Sequence, residues 1–210
     1  RAVVGLVVRV ADALDERAPF LEAPGLMADV QEAYGQPRVS SEDGTLFEHC
    51  LRAIDKSLTA GAHGLPLMGS CDWNDGMNRV GPAGRGESTW LGFFLHSILR
   101  DFVPLCRGRK DGVRADRYLS EARRLATSLE RSWDGEWYKR GYYDDGTPLG
   151  SAQNDECSID SISQSWAVLS GAVPIRFAER AMDAVRTHLV ARESQLLLLL
   201  SPPFDRSAQD

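Results

Sequence analysis

Cysteine is scarce and scattered in this 210-residue chain. The four cysteines form no Cys-x-x-Cys pair, and no histidine cluster accompanies them; they are Cys50, Cys71, Cys106 and Cys157. Zinc sites usually show closely paired cysteines, and disulfide frameworks belong to short, cysteine-dense secreted chains. The sequence therefore predicts neither kind of site. We expect reduced thiols and a cytoplasmic location.

Basic clusters and long apolar runs are also missing. The formal net charge is -6, and no basic stripe with interleaved aromatic residues is present, which argues against nucleic-acid binding. The apolar runs at 2–10 and 196–200 are too short to cross a bilayer. Hydrophobic residues make up 43% of the chain, an ordinary value for a globular protein with a buried core. We expect no membrane span within this chain.

Strand patterns are rare, and helical spacing of apolar residues dominates. This pattern predicts an all-α fold with about five helices. A cap at Ser40 or Ser41 would start the first helix, which Gly61 would follow. The predicted helices span 40–60, 87–103, 114–132, 159–171 and 174–191.

Three regions outside the predicted helices have weaker signals. Residues 1–20 do not discriminate between a helix and a strand, and 21–40 is expected to be a surface loop. Residues 134–150 are rich in Gly, Tyr and Asp, which indicates a hairpin or an irregular loop. Its aromatic residues Trp137, Tyr142 and Tyr143 would either line a cleft or pack the end of the domain.

The stretch 63–79 reads as a polar loop because glycine and proline interrupt any helical or strand period. Trp73 offers a flat apolar face, while its polar neighbours match sugar hydroxyls; these are Asp72, Asn74, Asp75 and Asn78. Desolvation beside an indole and a second carboxylate can keep an aspartic acid protonated. Two alternatives remain open: a calcium loop, which Trp73 and Met77 interrupt, and a structural turn closed by Asp and Asn side chains.

Several ordered motifs carry a family resemblance. They are His-Gly-Leu-Pro-Leu-Met-Gly at 63–69, Asp-Trp-Asn-Asp-Gly-Met-Asn-Arg-Val-Gly at 72–81, Gly-Arg-Gly-Glu-Ser at 84–88, Asp-Asp-Gly-Thr-Pro-Leu-Gly-Ser at 144–151, Asp-Glu-Cys at 155–157, Ile-Asp-Ser-Ile at 159–162 and Gln-Ser-Trp-Ala at 164–167. The chain resembles the inverting glycoside phosphorylases of the cellobiose phosphorylase type. It is especially similar to the phosphorylase-like C-terminal region of cyclic β-1,2-glucan synthases and to 1,2-β-oligoglucan phosphorylases.

The resemblance implies part of an (α/α)6 barrel. Five predicted helices are fewer than such a barrel contains. We therefore expect residues 1–210 to form a single partial catalytic domain, truncated at both ends relative to the full barrel.

The resemblance also implies a mechanism. Asp75 would be the general acid, and inorganic phosphate, the co-substrate, would replace the water that a base activates in inverting hydrolases. The product or donor would be α-glucose 1-phosphate, the other substrate a β-1,2-glucan oligosaccharide, and no metal or cofactor is expected. Trp73 would shape the sugar site, and Asp72, Asn78 and Arg79 would hold the loop or contact hydroxyls. Arg79 could instead pair with Asp72 or Glu87.

Two further candidates and two alternative functions remain. Glu156 and Gln164 would either contact the sugar or satisfy buried backbone groups. An inverting hydrolase on the same fold would need a base, for which Glu156 is the candidate. The second alternative is a non-catalytic glucan-binding or scaffolding region of a cyclic β-1,2-glucan synthase. Its parent polypeptide would be anchored in the inner membrane.

Overall fold

The computed structural model describes residues 14–22, 38–69 and 71–206. The chain divides into two compact units, Arg1–Lys56 and Ser57–Asp210, and each is described by itself. Most of the predicted loop 21–40, and residues 1–13 of the undecided first stretch, lie outside the described residues.

In the first unit, an antiparallel strand pair precedes a helix. Strand β1 (Arg17–Glu22) pairs with β2 (Arg38–Thr45), with an irregularity in register between Pro19 and Leu21. Helix α1 spans Leu46–Ser57. The end of the undecided first stretch is therefore a strand.

The predicted helix start at Ser40 or Ser41 is wrong, because these residues belong to β2. The cap is Thr45. Its hydroxyl accepts a hydrogen bond from the Glu48 amide at 3.2 Å, and the Glu48 carboxylate accepts one from the Thr45 amide at 2.6 Å. This reciprocal capping box satisfies backbone donors that the serines would leave unpaired.

Four helices in the second unit confirm the other predicted helices with shifted ends. They are α2 (Thr89–Gly108), α3 (Gly112–Arg131), α4 (Ser161–Ser170) and α5 (Ile175–His188). Helix α2 packs against α3 and α4, and α4 packs against α5. Side chains of Ser88, Asp111 and Asp160 cap the starts of α2, α3 and α4. Helix α2 continues past the predicted end at residue 103 and contains Pro104.

The fold is mainly helical, but the prediction of an all-α fold is wrong in detail. A three-stranded antiparallel sheet contains β3 (Glu87–Ser88), β4 (Gly141–Tyr142) and β5 (Pro148–Leu149). Strand β6 (Ile159–Asp160) pairs with β9 (Leu200–Ser201), and β7 (Val190–Ala191) pairs with β8 (Leu196–Leu197). Two-residue strands are too short to produce an alternating sequence pattern. The full barrel and the single partial domain stay predictions.

The main core lies between the helices and the 132–150 region. It contains Leu65, Phe93, Leu129 and Tyr138, which are fully buried. Leu169 of α4 is 70% exposed. Its position is opposite the face formed by Ser163 and Ala167, since residues of a helix are about 100° apart. Among the described residues, no helix is both long enough and apolar enough to cross a membrane.

Candidate active site

The loop that carries the predicted site is folded around a small apolar cluster. Met68, Met77 and Val80 are each 3% exposed and pack with Leu149 and Cys157. These three loop side chains point into the protein, whereas the loop residues Asp75, Asn78 and Arg79 are exposed at its surface. A short 3-10 helix, Asp75–Met77, forms within this loop.

Asn74 caps that 3-10 helix. Its side-chain oxygen accepts a hydrogen bond from the Gly76 amide at 3.0 Å. Asn78 ends the 3-10 helix and is exposed. The alternative of a loop stabilised by Asx-type turns thus describes its local backbone, and the same backbone presents Asp75 to solvent.

Asp72 is the anchored carboxylate of the loop. Its side chain is fully buried, and both of its oxygens are hydrogen-bonded. One oxygen accepts from Arg140 Nη2 at 2.8 Å and from the Asn74 amide at 3.1 Å. The other accepts from the Ser88 hydroxyl at 2.7 Å and lies 2.7 Å from Arg140 Nη1. Asp72 therefore holds the loop, which is one of the two roles predicted for it.

Arg140 also faces a second buried carboxylate. Its Nε lies 3.5 Å from Asp160 Oδ2, and both side chains are fully buried. The other Asp160 oxygen accepts from the amides of Ile162 and Ser163 at the start of α4. Burial raises the pKa of Asp160, and the charge of Arg140 opposes this shift.

Asp75 and Trp73 are the accessible functional groups of the loop. Asp75 is exposed, and its carboxylate accepts a hydrogen bond from the Cys71 thiol at 3.7 Å. Trp73 is 54% exposed, and its ring makes an edge-type contact with Trp90 at a centroid distance of 6.3 Å. An exposed carboxyl group and a half-exposed indole thus lie two residues apart in one loop.

Arg79 is exposed. Asp72 and Glu87, the two partners proposed for it, each form an ion pair with another residue. Arg140 pairs with Asp72, and His63 pairs with Glu87. Whether Arg79 contacts substrate stays a prediction.

The partly exposed His63 and the buried Glu87 form a second pair next to this site. Glu87 is 1% exposed, and its carboxylate accepts from the amides of His63 and Leu65 as well as contacting His63 Nδ1 at 2.5 Å. The imidazole stacks on Tyr142 with a centroid distance of 3.6 Å and an angle of 6°. His63, Glu87 and Tyr143 line an open cleft of about 380 Å³.

Asp144, which also lines that cleft, holds the turn at 83–86. It accepts hydrogen bonds from the amides of Ala83, Arg85 and Gly86 at 2.6, 2.7 and 2.9 Å. Desolvation opposes these bonds, but they lower the pKa of Asp144 overall. Gly86 has to be glycine here, because a Cβ atom would lie 2.6 Å from the carbonyl oxygen of Val80.

Gln164 and Glu156 bind backbone groups. Gln164 is fully buried, and it accepts from the Tyr138 amide and donates to the carbonyls of Tyr138 and Asp160, each at 2.8 Å. Glu156 accepts from the amides of Asp205 and Arg206. These contacts match the structural role that the sequence left open for both residues; sugar contacts by either stay a prediction.

The 134–150 region contains both of its expected features. Residues 141–149 form a β hairpin, with β4 paired to β5. Trp137 is buried and donates to the carbonyls of Gly150 and Ser158, whereas Tyr143 lines the cleft. Among residues 14–22, 38–69 and 71–206, no group of three or more His, Cys, Asp or Glu side chains is placed to hold a metal ion.

Comparison with known protein families agrees with the loop motifs. Residues 30–210 match the catalytic domain of the Glycosyl hydrolase 94 superfamily. The chain belongs to this family. The resemblance to glycoside phosphorylases and cyclic β-1,2-glucan synthases is thereby confirmed.

Relatives within the Glycosyl hydrolase 94 superfamily include a synthase and several phosphorylases. The chain is 48% identical over 95% of its length to cyclic beta-(1,2)-glucan synthase NdvB of Rhizobium meliloti, of which it covers 7%. It is 40% identical over 79% of its length to 3-O-beta-D-glucopyranosyl-beta-D-glucuronide phosphorylase of Paenibacillus borealis, of which it covers 21%. Solabiose phosphorylase of the same organism is 35% identical over 88% of the chain, which covers 24% of it. The chain thus spans less than a quarter of these relatives.

Sequence reasoning missed Arg140 as part of this Glycosyl hydrolase 94 site. Arg140 lies 68 positions from Asp72, and local spacing gives no sign of so distant a contact. The available signal was a charged residue inside the hairpin region, between the buried Tyr138 and Tyr142. A charge in such a place usually has a buried partner.

Proposed function

We propose that the protein to which this chain belongs catalyses inverting phosphorolysis of β-1,2-glucan, or the reverse synthesis, with Asp75 as the general acid. In the forward direction, Asp75 donates its proton to the glycosidic oxygen. The bond between that oxygen and the anomeric carbon breaks, and a phosphate oxygen bonds to the carbon from the opposite face. The products are α-glucose 1-phosphate and a shortened glucan.

The different environments of the two loop carboxylates carry this proposal. Asp72 is buried, with both oxygens bound to Arg140, Ser88 and the loop backbone. Asp75 is exposed, two residues after the half-exposed Trp73. A general acid has to reach the oxygen that it protonates. Of these two groups, Asp75 meets that requirement without breaking a buried ion pair.

Phosphate as nucleophile is supported by the contacts of Glu156. An inverting hydrolase needs a second carboxylate to activate water, and Glu156 is the sequence candidate for this base. One oxygen of Glu156 already accepts two backbone hydrogen bonds. Phosphate is anionic and needs no such activation. The phosphorylase names of several relatives also favour phosphate over water.

The choice of β-1,2-glucan rests on the similarity to the cyclic glucan synthase. The exposed Trp73 supports a sugar substrate in general, because an indole face packs against the apolar face of a sugar ring. The required partners are a β-glucan oligosaccharide, glucose 1-phosphate, phosphate and the rest of the parent polypeptide. A cytoplasmic location is part of the same proposal.

The test is phosphate release from α-glucose 1-phosphate with sophorose or a short β-1,2-glucan as acceptor. Three proteins are compared with one control variant: the 210-residue chain, a version extended at both ends to the length of its relatives, and the extended Asp75→Asn variant. Asp116→Asn is the matched control, because Asp116 is an exposed aspartate on α3, away from the loop.

We expect release by the extended protein and by Asp116→Asn, with loss of about 100-fold or more in Asp75→Asn, the range that general acids contribute. Equal activity of the Asp75→Asn protein would reject Asp75 as the acid. Sugar binding by every form with no phosphate release would reject the enzymatic function and favour a glucan-binding or scaffolding role. Release of glucose without any requirement for phosphate would identify a hydrolase.

A further inference from the structure

The guanidinium of Arg140 is a meeting point of three structural elements. It contacts the loop that carries Asp75 through Asp72, the start of α2 through Ser88, and the start of α4 through Asp160. The backbone of Arg140 is also fixed, since its carbonyl accepts from the Thr89 amide at 3.1 Å and its amide donates to the Leu149 carbonyl at 2.7 Å.

The contact with Asp72 is a two-point fork. Nη1 and Nη2 of Arg140 face different oxygens of Asp72 at 2.7 and 2.8 Å. Two parallel contacts define both the distance and the orientation of the carboxylate. A lysine would supply the charge through a single flexible ammonium and could not impose this orientation.

Ser88 ties the same carboxylate to a helix. Its hydroxyl donates to Asp72 Oδ2 at 2.7 Å and accepts from the Leu91 amide, which is the capping bond of α2. The Asp72 carboxylate therefore has a defined place relative to α2. Asp75 follows three residues later, and Met77 fixes the far side of the 3-10 helix in the apolar cluster.

The contact with Asp160 is of a different kind. Nε of Arg140 and Oδ2 of Asp160 are both buried without a hydrogen bond, and they lie 3.5 Å apart. The two contacts of Arg140 are thus different in kind. The contact with Asp72 determines orientation, whereas the contact with Asp160 contributes charge.

We propose that Arg140 is a positioning residue for the acid step, because its fork on Asp72 sets where the Asp75 carboxyl lies relative to the glycosidic oxygen. This inference rests on the proposed function. Misplacement of a catalytic group by about 1 Å costs about 100-fold in rate. Arg140 itself touches no substrate in this role.

If Arg140 has a positioning role, the decrease in turnover caused by its replacement should depend on the leaving group of the substrate. Cleavage of a glucan link needs a proton from Asp75, because a sugar alkoxide is a poor leaving group. Cleavage of 2,4-dinitrophenyl β-glucoside needs none: the bond from the anomeric carbon to oxygen breaks, the phenoxide departs with the electron pair, and a phosphate oxygen forms the new bond. A general loss of structure would impair both reactions.

The experiment measures phosphorolysis of short β-1,2-glucan and of 2,4-dinitrophenyl β-glucoside by the full-length parent protein. The variants are Arg140→Lys, Ser88→Ala and Asp75→Asn. Arg124→Lys is the matched control. Arg124 also binds the first residues of the 63–79 loop, donating to the Gly64 carbonyl at 2.6 Å, and its hydrogen bond is to that backbone rather than to Asp72. Thermal unfolding of each variant is recorded in parallel.

We expect Arg140→Lys to lower glucan turnover by about 100-fold with aryl glucoside turnover within about 3-fold of the parent. Ser88→Ala keeps the fork and should show the same selectivity with a smaller loss, so it tests the inference even where Arg140→Lys fails to fold. Arg124→Lys should show no selectivity. Equal losses on both substrates, or no loss on glucan, in the folded variants would overturn the positioning role. The Asp75→Asn variant tests the proposed function separately. It should lose glucan turnover regardless of the result for the Arg140→Lys variant.

Discussion

The imidazole of His63 lies parallel to the ring of Tyr142 at 3.6 Å, with Nδ1 on the buried carboxylate of Glu87. The same carboxylate accepts from the backbone amides of His63 and Leu65. The Glu87 carboxylate therefore accepts hydrogen bonds that water would otherwise accept from the backbone at the start of the active-site loop. A buried acceptor with several donors is costly to remove, because each donor is left without a partner.

Glu87→Ala and Glu87→Gln should differ in their effect on stability. Glu87→Ala leaves the two amides and the imidazole without an acceptor, and because each unsatisfied buried donor costs about 1–3 kcal/mol, we expect a loss of about 3–5 kcal/mol in the free energy of unfolding. Glu87→Gln keeps one carbonyl oxygen in place and should cost about 1–3 kcal/mol. Denaturant unfolding followed by tryptophan fluorescence measures both. Equal effects of the two variants would contradict the role of the oxygen acceptors.

Substitution of Asp72 should mainly lower stability, whereas substitution of Asp75 should mainly lower activity. Asp72→Ala removes the partner of buried Arg140, which should cost about 3–5 kcal/mol of unfolding free energy. Asp75→Asn replaces an exposed side chain and should leave the thermal midpoint unchanged while glucan turnover falls. Thermal unfolding and phosphate release on the same protein samples test this. A destabilised Asp75→Asn protein with normal turnover would reverse the assignment of the two residues.

The capping box at the start of α1 gives a local test. Thr45→Ala removes the hydroxyl that caps α1 and should cost about 1 kcal/mol. Ser40→Ala is the control, because Ser40 lies within β2 and its hydroxyl accepts from the Glu42 amide rather than from the amides at the start of α1. Chemical denaturation followed by far-UV circular dichroism compares the two. A larger effect for Ser40→Ala would favour the helix start expected from sequence.

This cap illustrates how far the sequence could predict the fold. Four helices of the second unit were located by apolar spacing, because spacing of three and four residues depends on the helix alone. At α1, Ser40, Ser41 and Thr45 are all good caps by residue type. The choice of Thr45 depends on β2 pairing with β1, and that pairing is not visible in the local pattern.

The site shows the same division between local and distant information. The polar loop around Asp75 and the exposed Trp73 followed from the residue order and the family resemblance. The burial of Asp72 did not, since it depends on Arg140 arriving from the hairpin and on Ser88 at the start of α2. Gln164 was expected at the substrate or against buried backbone, and its burial beside Tyr138 required the packing of α4.

His96 should make stability depend on pH. It is 5% exposed within α2, and burial together with the charge of Arg100 lowers its pKa from 6.5 to about 4. The folded state therefore holds His96 neutral between these pH values, while the unfolded chain binds a proton there. Because the unfolded state binds more protons, stability is fully present above about pH 6.5 and falls as pH drops toward 4. For this residue alone we expect a loss of about 2 kcal/mol between about pH 7.5 and pH 5.

His96→Leu removes this titration and replaces the imidazole with an apolar side chain of similar size. The difference in unfolding free energy between the parent protein and His96→Leu should therefore change with pH by about 2 kcal/mol over that interval, in favour of the variant at the acidic end. Substitution of His96 by Asn or Gln would be a weaker test than substitution by Leu. Either would leave a buried polar group at a place where His96 Nδ1 has no hydrogen-bond partner. Denaturant unfolding at the two pH values gives the comparison, with surface His188 replaced by Leu as the control for general loss of histidine charge. A pH-independent difference between the parent and His96→Leu would show that His96 titrates alike in the folded and unfolded states.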